Sequence, residues 1–236
     1  MAGFPQFHPK TSGTPLDALP RESELLLLRL RESGLRVSLQ HPRFDLGLDE
    51  KELHEVTAWL AAQTQNDGER RWIAVGPGSK MPAKQWPLEN YDAVVRDLIG
   101  AFDIWPVVFG GPEDREIGDG LIERWGRGYN AAGALDVRAA GVALKRCQLY
   151  LGNDTGTMHL AALLGVPVVA IFGSTEPRLT GPLGNGHIIL RHHVECSPCF
   201  LRECPIDFRC MKAISVQEVA DAVLSMLRKD SEEFEI

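Results

Sequence analysis

"GNDTGTMHLAALLGVPVVAIFG", residues 152–173, decides the fold. Asp154, Thr155, Thr157 and His159 sit at a joint between the apolar stretch that ends at Asn153 and an apolar helical stretch. After Gly165 and Pro167 a second apolar strand follows. Strand, polar joint, helix and strand in that order make a βαβ unit, and nearly continuous apolar strands belong to a parallel sheet covered on both faces. The joint lies where a strand's carboxyl end meets a helix's first turn. The N–H groups of that turn have no partner within the helix.

The same alternation runs outward in both directions. "RWIAV" (71–75) is a strand leading into the loop "GPGSKMPAKQWP" (76–87). A helix over 88–102 places Tyr91, Val94, Val95, Leu98 and Ile99 at helical spacing. "IWPVVFGG" (104–111) is the second strand, with Pro106 among its first residues. The helix over 113–126 is weakened by Gly118 and Gly120, and "AAGAL" (131–135) reads as a short third strand. Asp136 caps a helix over 136–147. "LYLGN" (149–153), "VPVVAIFG" (166–173) and "HIILRH" (187–192) are further strands. The helix over 215–229 opens with the capping box of Ser215 and Glu218.

Residues 1–66 are different. They hold two amphipathic helices, 21–34 and 49–63, with "LRVSLQ" (35–40) as a candidate strand between them. "TQNDGER" (64–70) marks the boundary, so the expected domains are 1–66 and 67–236. The tail after Arg228 is acidic and expected to fray.

The chain has 236 residues, 44% apolar and 24% charged, with a net charge of −7. That balance argues against broad binding to nucleic acid. No apolar run is long enough for a membrane span and no signal-peptide pattern opens the chain, so the expected location is the cytoplasm. Cys196, Cys199, Cys204 and Cys210 fall within one short stretch. They suit either a structural zinc or free thiols. Cys147 reads as a buried thiol.

In open parallel sheets, ligands bind beyond the strands' carboxyl ends. The loops expected there are 76–87, 110–116, 152–159 and 173–184, each with glycine and polar residues. The first turn of a helix at Thr155, Gly156 and Thr157 would offer bare amides, hydroxyls and the positive end of the helix dipole to an anion. Asp154 would cap that helix or do more. Between Glu69 and Glu89 there is no acidic residue, whereas Arg70, Arg71, Lys80 and Lys84 are basic. Together these features point to phosphate. "GPGSKM" lacks the third glycine of a dinucleotide fingerprint, and no Gly-Lys-Ser/Thr run is present. NAD and P-loop chemistry are therefore disfavoured.

"PGSKMPAKQWP", "FGGPEDRE" and "GNDTGTMHLAALLGVPVVAIFGSTEP", in this order and spacing, resemble the C-terminal domain of family-nine glycosyltransferases, the ADP-heptose:lipopolysaccharide heptosyltransferases. The resemblance covers about residues 70–230, and "CSPCFLRECPIDFRCM" recurs in one branch of that family. It implies the C-terminal, donor-binding half of a GT-B fold, with a Rossmann-like parallel sheet. It implies that Ser79 and Lys84, with Thr155, Gly156 and Thr157, hold a diphosphate. Asp154 and His159 would line the sugar and phosphate end, Glu113 or Glu116 the ribose, and the backbone near Leu135 the adenine.

The resemblance further implies transfer of a heptose from an ADP-sugar to a lipopolysaccharide core acceptor, with inversion and without a catalytic metal, at or near the inner face of the inner membrane. The catalytic base belongs to that family's N-terminal domain. Residues 1–66 match only its last part, and Asp17 and Asp45 do not fit the base motif. A separate chain supplying that half, a catalytically silent nucleotide-sugar module, and a nucleotide-sugar epimerase are the alternative expectations.

Overall fold

The structure is a computed structural model and describes residues 19–34, 46, 47, 49–63 and 70–232. The strand expected at 35–40, the boundary segment 64–69, Asp17, Asp45 and the end of the acidic tail lie outside the described residues.

Six strands form one parallel sheet: β1 (Arg71–Gly76), β2 (Ile104–Val108), β3 (Tyr129–Asn130), β4 (Leu149–Asn153), β5 (Val168–Ile171) and β6 (Ile188–Leu190). Their spatial order is β3-β2-β1-β4-β5-β6. The chain winds outward from β1 in one direction as far as β3, then crosses back to β4 on the other side of β1. The carboxyl ends of β1 and β4 therefore flank the point where the winding reverses. At this point the connections leave to opposite faces and open a crevice. Val75 pairs with Leu151 and Gly76 with Gly152, so the loops that follow both strands emerge at the same level.

Residue alternation sorts the core onto the two faces. Ile73, Val75, Leu149, Leu151, Val169 and Ile171 pack on one face. They meet α3 (Leu88–Phe102), α4 (Arg115–Trp125) and the two C-terminal helices, Arg209–Lys212 and Val216–Glu232. Trp72, Ala74, Val107, Tyr150, Val168 and Ala170 pack on the other. There they meet α2 (Glu50–Gln63), α5 (Val137–Lys145) and α6 (Gly156–Leu163). All four buried residues of α3 are among the apolar positions expected to face the core. The Asp136 carboxylate accepts the Ala139 N–H at 2.8 Å, as a cap should. Asp136→Ala should cost about 1 kcal/mol of stability, readable by urea denaturation.

Two expectations change here. "AAGAL" is a turn: the Ala134 N–H returns to the Ala131 carbonyl at 3.1 Å, and Gly133 takes a positive φ of 66°. The third strand is the two residues before it. Pro106 is the middle residue of β2. Since β3 pairs only with Val107 and Val108, the stretch of β2 holding Pro106 is an edge on that side, where proline is tolerated.

The helix α1 (Glu22–Glu32) forms but buries none of its residues, and Leu26, Leu28 and Leu30 are exposed. By contrast, α2 is anchored. Leu60 enters the core, and Trp59 meets Tyr129 edge-on with ring centroids 5.5 Å apart. Just before α2, Arg138 holds the Leu46 and Gly47 carbonyls at 3.0 and 2.8 Å. Among the described residues no helix is long and apolar enough to cross a membrane.

Candidate functional site

A cleft of about 650 Å³ opens beyond the carboxyl ends of β1, β2 and β4. The loop after β1 supplies Ser79 and Lys84, the loop after β2 supplies Glu113 and Asp114, and the segment after β3 supplies Leu135. Thr155, Gly156 and Thr157 come from the start of α6. Nearly all the residues expected to hold a nucleotide diphosphate thus share one cavity.

Asp154 does not cap α6. Thr155 takes the N-cap position with extended backbone (φ −142°, ψ 172°), and its carbonyl accepts the His159 N–H at 3.2 Å. Asp154 therefore stands one residue outside the helix, and its carboxylate turns back toward the loop after β1. Lys84 Nζ donates to Asp154 Oδ2 at 2.7 Å and lies 3.4 Å from the Asp154 carbonyl. Thr175 Oγ1 donates to the same carboxylate oxygen at 2.7 Å and Thr180 Oγ1 at 3.4 Å. The ion pair is nearly out of water, the Asp154 side chain being 3% exposed and that of Lys84 16%. An ammonium has three protons. Asp154 takes up to two of them, through its carboxylate and its carbonyl, which leaves a donor for a ligand in the cleft.

His159 Nε2 lies 3.8 Å from Asp154 Oδ1, and burial holds the imidazole below its ordinary pKa. It is not one of the cleft's lining residues. Lys84 and Arg21 add positive potential at the ring, and Asp154 opposes it. Arg21 itself donates to the Gly181 carbonyl at 2.9 Å.

The two candidate ribose carboxylates separate. Glu113 lines the cleft, while Glu116, on the exposed face of α4, does not. Lys80 lies 3.4 Å from Glu113. A third carboxylate, Asp114, was not anticipated. It forms part of the cleft wall, 8% exposed, and accepts the Gly111 N–H at 2.9 Å. Burial raises its pKa. It lies against Gly78, where a Cβ would fall 2.0 Å from its Oδ1. Glycine at 78 and a short acid at 114 are therefore one fitted pair.

Two residues of β4 not singled out from the sequence organise the cleft from below. Asn153 is fully buried. Its Oδ1 accepts the Trp86 N–H at 3.1 Å and the Tyr91 O–H at 2.9 Å, and its Nδ2 donates to the Pro77 carbonyl at 2.8 Å. One amide thus ties both ends of the loop after β1 to the sheet. Ser79 also turns inward: its Oγ accepts the Met81 N–H at 3.1 Å, leaving its own proton to donate. Tyr150, fully buried, brings its Oη to 2.8 Å from Thr157 Oγ1. Burial pushes its pKa up to about 12, so the phenol keeps its proton.

The zinc expectation has no support. Among the described residues no group of three or more His, Cys, Asp or Glu is arranged to hold a metal ion. Cys210 packs into the core beside Met211, and burial raises its thiol to about 11. Cys204 Sγ accepts the Phe208 N–H at 3.3 Å. Cys196 and Cys199 remain free thiols.

Comparison with known proteins bears on the same region. The model of glycosyltransferase family 9 (heptosyltransferase) matches residues 31–208. Over 132 residues the chain is 33% identical to lipopolysaccharide heptosyltransferase 2 of Salmonella typhimurium, covering 52% of this chain and 37% of that one. Over 149 residues it is 34% identical to lipooligosaccharide heptosyltransferase 2 of Haemophilus ducreyi, covering 59% and 42%. It therefore spans less than half the length of these two relatives.

Among solved structures it is similar to E. coli ADP-heptose lps heptosyltransferase II, with a TM-score of 0.66 and 25% identity over 84% of this chain and 57% of that one. Its fold is also that of a family 9 glycosyl transferase from Veillonella parvula, with a TM-score of 0.72 and 23% identity over 92% of this chain and 63% of that one. With most of its length matched by the family model, and the cleft inside the matched region, the chain belongs to glycosyltransferase family 9, the heptosyltransferase family.

Proposed function

We propose that the cleft binds the diphosphate of an ADP-sugar and that the chain is the donor-binding part of an enzyme that transfers a heptose to a lipopolysaccharide core. The observation that carries this reading is the convergence of Lys84, the first turn of α6 and the Thr155 and Thr157 hydroxyls on one wall of the crevice. A pyrophosphate there meets an ammonium, bare amides and hydroxyl donors together. In this reading Glu113 and Asp114, which also line the crevice, accept from ribose hydroxyls, and the Leu135 segment meets the base. The relative from E. coli is named for ADP-heptose, which favours adenine.

The mechanism in this reading is displacement at the anomeric carbon with inversion. The sugar–oxygen bond breaks through an oxocarbenium-like transition state, and negative charge gathers on the departing ADP. Lys84 and the α6 amides meet that charge as it grows, so they stabilise the transition state more than the ground state. These groups do the work of a cation, and no step needs a metal. Residues 1–66 then hold what this chain has of the acceptor half, although α2 packs against the donor sheet. No described residue speaks for a separate chain that would supply the rest. A location in the cytoplasm, at the inner face of the inner membrane, suits the acceptor.

Titration calorimetry with ADP, UDP and GDP tests the reading. ADP is expected to bind most tightly. Preference for UDP would move the assignment toward an epimerase-like donor site, and absence of binding to all three would end it. A transfer assay with ADP-heptose separates an active enzyme from a module that only binds.

A further inference from the structure

We propose that Tyr150 is a positioning residue of the anion seat: from behind the cleft wall, its phenol commits the hydroxyls of Thr155 and Thr157 to donate toward the ligand. This rests on the donor-site reading above and adds a residue outside the three sequence motifs quoted for the family resemblance.

Three hydroxyls form a closed triangle. Tyr150 Oη lies 2.8 Å from Thr157 Oγ1 and 3.4 Å from Thr155 Oγ1, and the two threonine oxygens are 3.0 Å apart. Both threonines line the cleft; Tyr150 does not and is fully buried. A hydroxyl carries one proton and two lone pairs. The phenol has no water to turn to, so its proton goes to its nearest partner, Thr157. With that lone pair filled, Thr157 must send its own proton elsewhere, to Thr155 or into the cleft. The inward outlets of Thr155 are weak, the Asn153 carbonyl and Tyr150 Oη, each at 3.4 Å. An anion in the cleft therefore meets hydroxyls already backed by a donor, and each bond of such a chain strengthens the next.

The backbone is shaped for this phenol. A Cβ at Gly76 would fall 1.8 Å from Tyr150 Oη, and one at Gly152 would fall 2.7 Å from it. These two glycines face each other across the β1–β4 ladder. Side-chain-free positions on adjacent strands make a slot for the ring directly below the first turn of α6.

The test uses the full chain and its Tyr150→Phe variant, titrated with ADP, inorganic pyrophosphate and adenosine. ADP and pyrophosphate should bind about five- to tenfold more weakly, with adenosine unchanged. Equal losses for all three ligands would reduce Tyr150 to a structural role, and unchanged ADP affinity would remove it from the seat; either result overturns the proposal. A wild-type chain that binds no ADP overturns the donor-site reading and this one with it. Thr157→Val supplies a second arm: the double variant should be no weaker than Thr157→Val alone. Additive losses would show that the phenol does not act through Thr157.

Discussion

Asn153→Leu is expected to lower the stability of the chain by about 4 kcal/mol, because each buried polar group left without a partner costs about 1–3 kcal/mol. Three such groups would be stranded: the Trp86 N–H, the Tyr91 O–H and the Pro77 carbonyl. Leucine matches asparagine in heavy-atom count and branching, so no cavity is opened and the loss reports mainly hydrogen bonding, with a smaller cost from the bulkier methyls. In urea the transition midpoint should fall with the slope unchanged. A loss below about 1 kcal/mol would mean that the three groups find other partners. ADP affinity should fall as well, since the loop carrying Ser79 and Lys84 is tied down at both ends through this one amide.

Lys84→Ala is expected to do two separate things. It leaves the Asp154 carboxylate, 3% exposed, without its cation, and breaking a buried pair in this way costs about 3 kcal/mol of stability. It also removes a charge-assisted donor from the anion seat, which should weaken ADP binding by about 1–3 kcal/mol. The pair Lys84→Met with Asp154→Asn separates the effects. With both charges gone, stability should return most of the way, because Thr175 and Thr180 can still donate to the asparagine oxygen. ADP affinity should stay low. If the double variant binds ADP like the wild type, Lys84 serves the fold and not the ligand.

The alternation of the sheet and its helices was legible because it depends on periodicity. Helix 88–102 shows its buried stripe at Tyr91, Val94, Val95 and Leu98 in the sequence itself, and β1, β4 and β5 are continuous apolar runs. β3 was not legible. Two residues carry no period, and Tyr129 and Asn130 are a strand only because Val107 and Val108 lie beside them. The glycine-rich joints also announced the cleft, since bare helix starts at the carboxyl ends of parallel strands follow from topology.

What failed was the direction of single side chains. Asp154 stands where a cap is expected, yet a one-residue shift of the helix start to Thr155 sends its carboxylate to Lys84. Glu113 and Glu116 are equivalent in sequence. The 3₁₀ turn at Pro112–Asp114 presents Glu113 and Asp114 to the cleft and leaves Glu116 on the outside of α4. Tyr150 and Asn153 sit inside an apolar strand, where an aromatic ring and an amide look like ordinary core. Their roles arise from partners 62–76 residues away for Asn153 and from a slot made by glycines on two strands for Tyr150.

β4 is one short central strand, clamped by ladders to β1 and β5. Its two polar side chains reach to opposite faces of the sheet, the amide steadying one rim of the crevice and the phenol the other. In the proposed donor-site reading, the seat for the ligand's charged end is therefore supported from the floor of the pocket. Repacking within the five residues of this strand is expected to disturb both rims together.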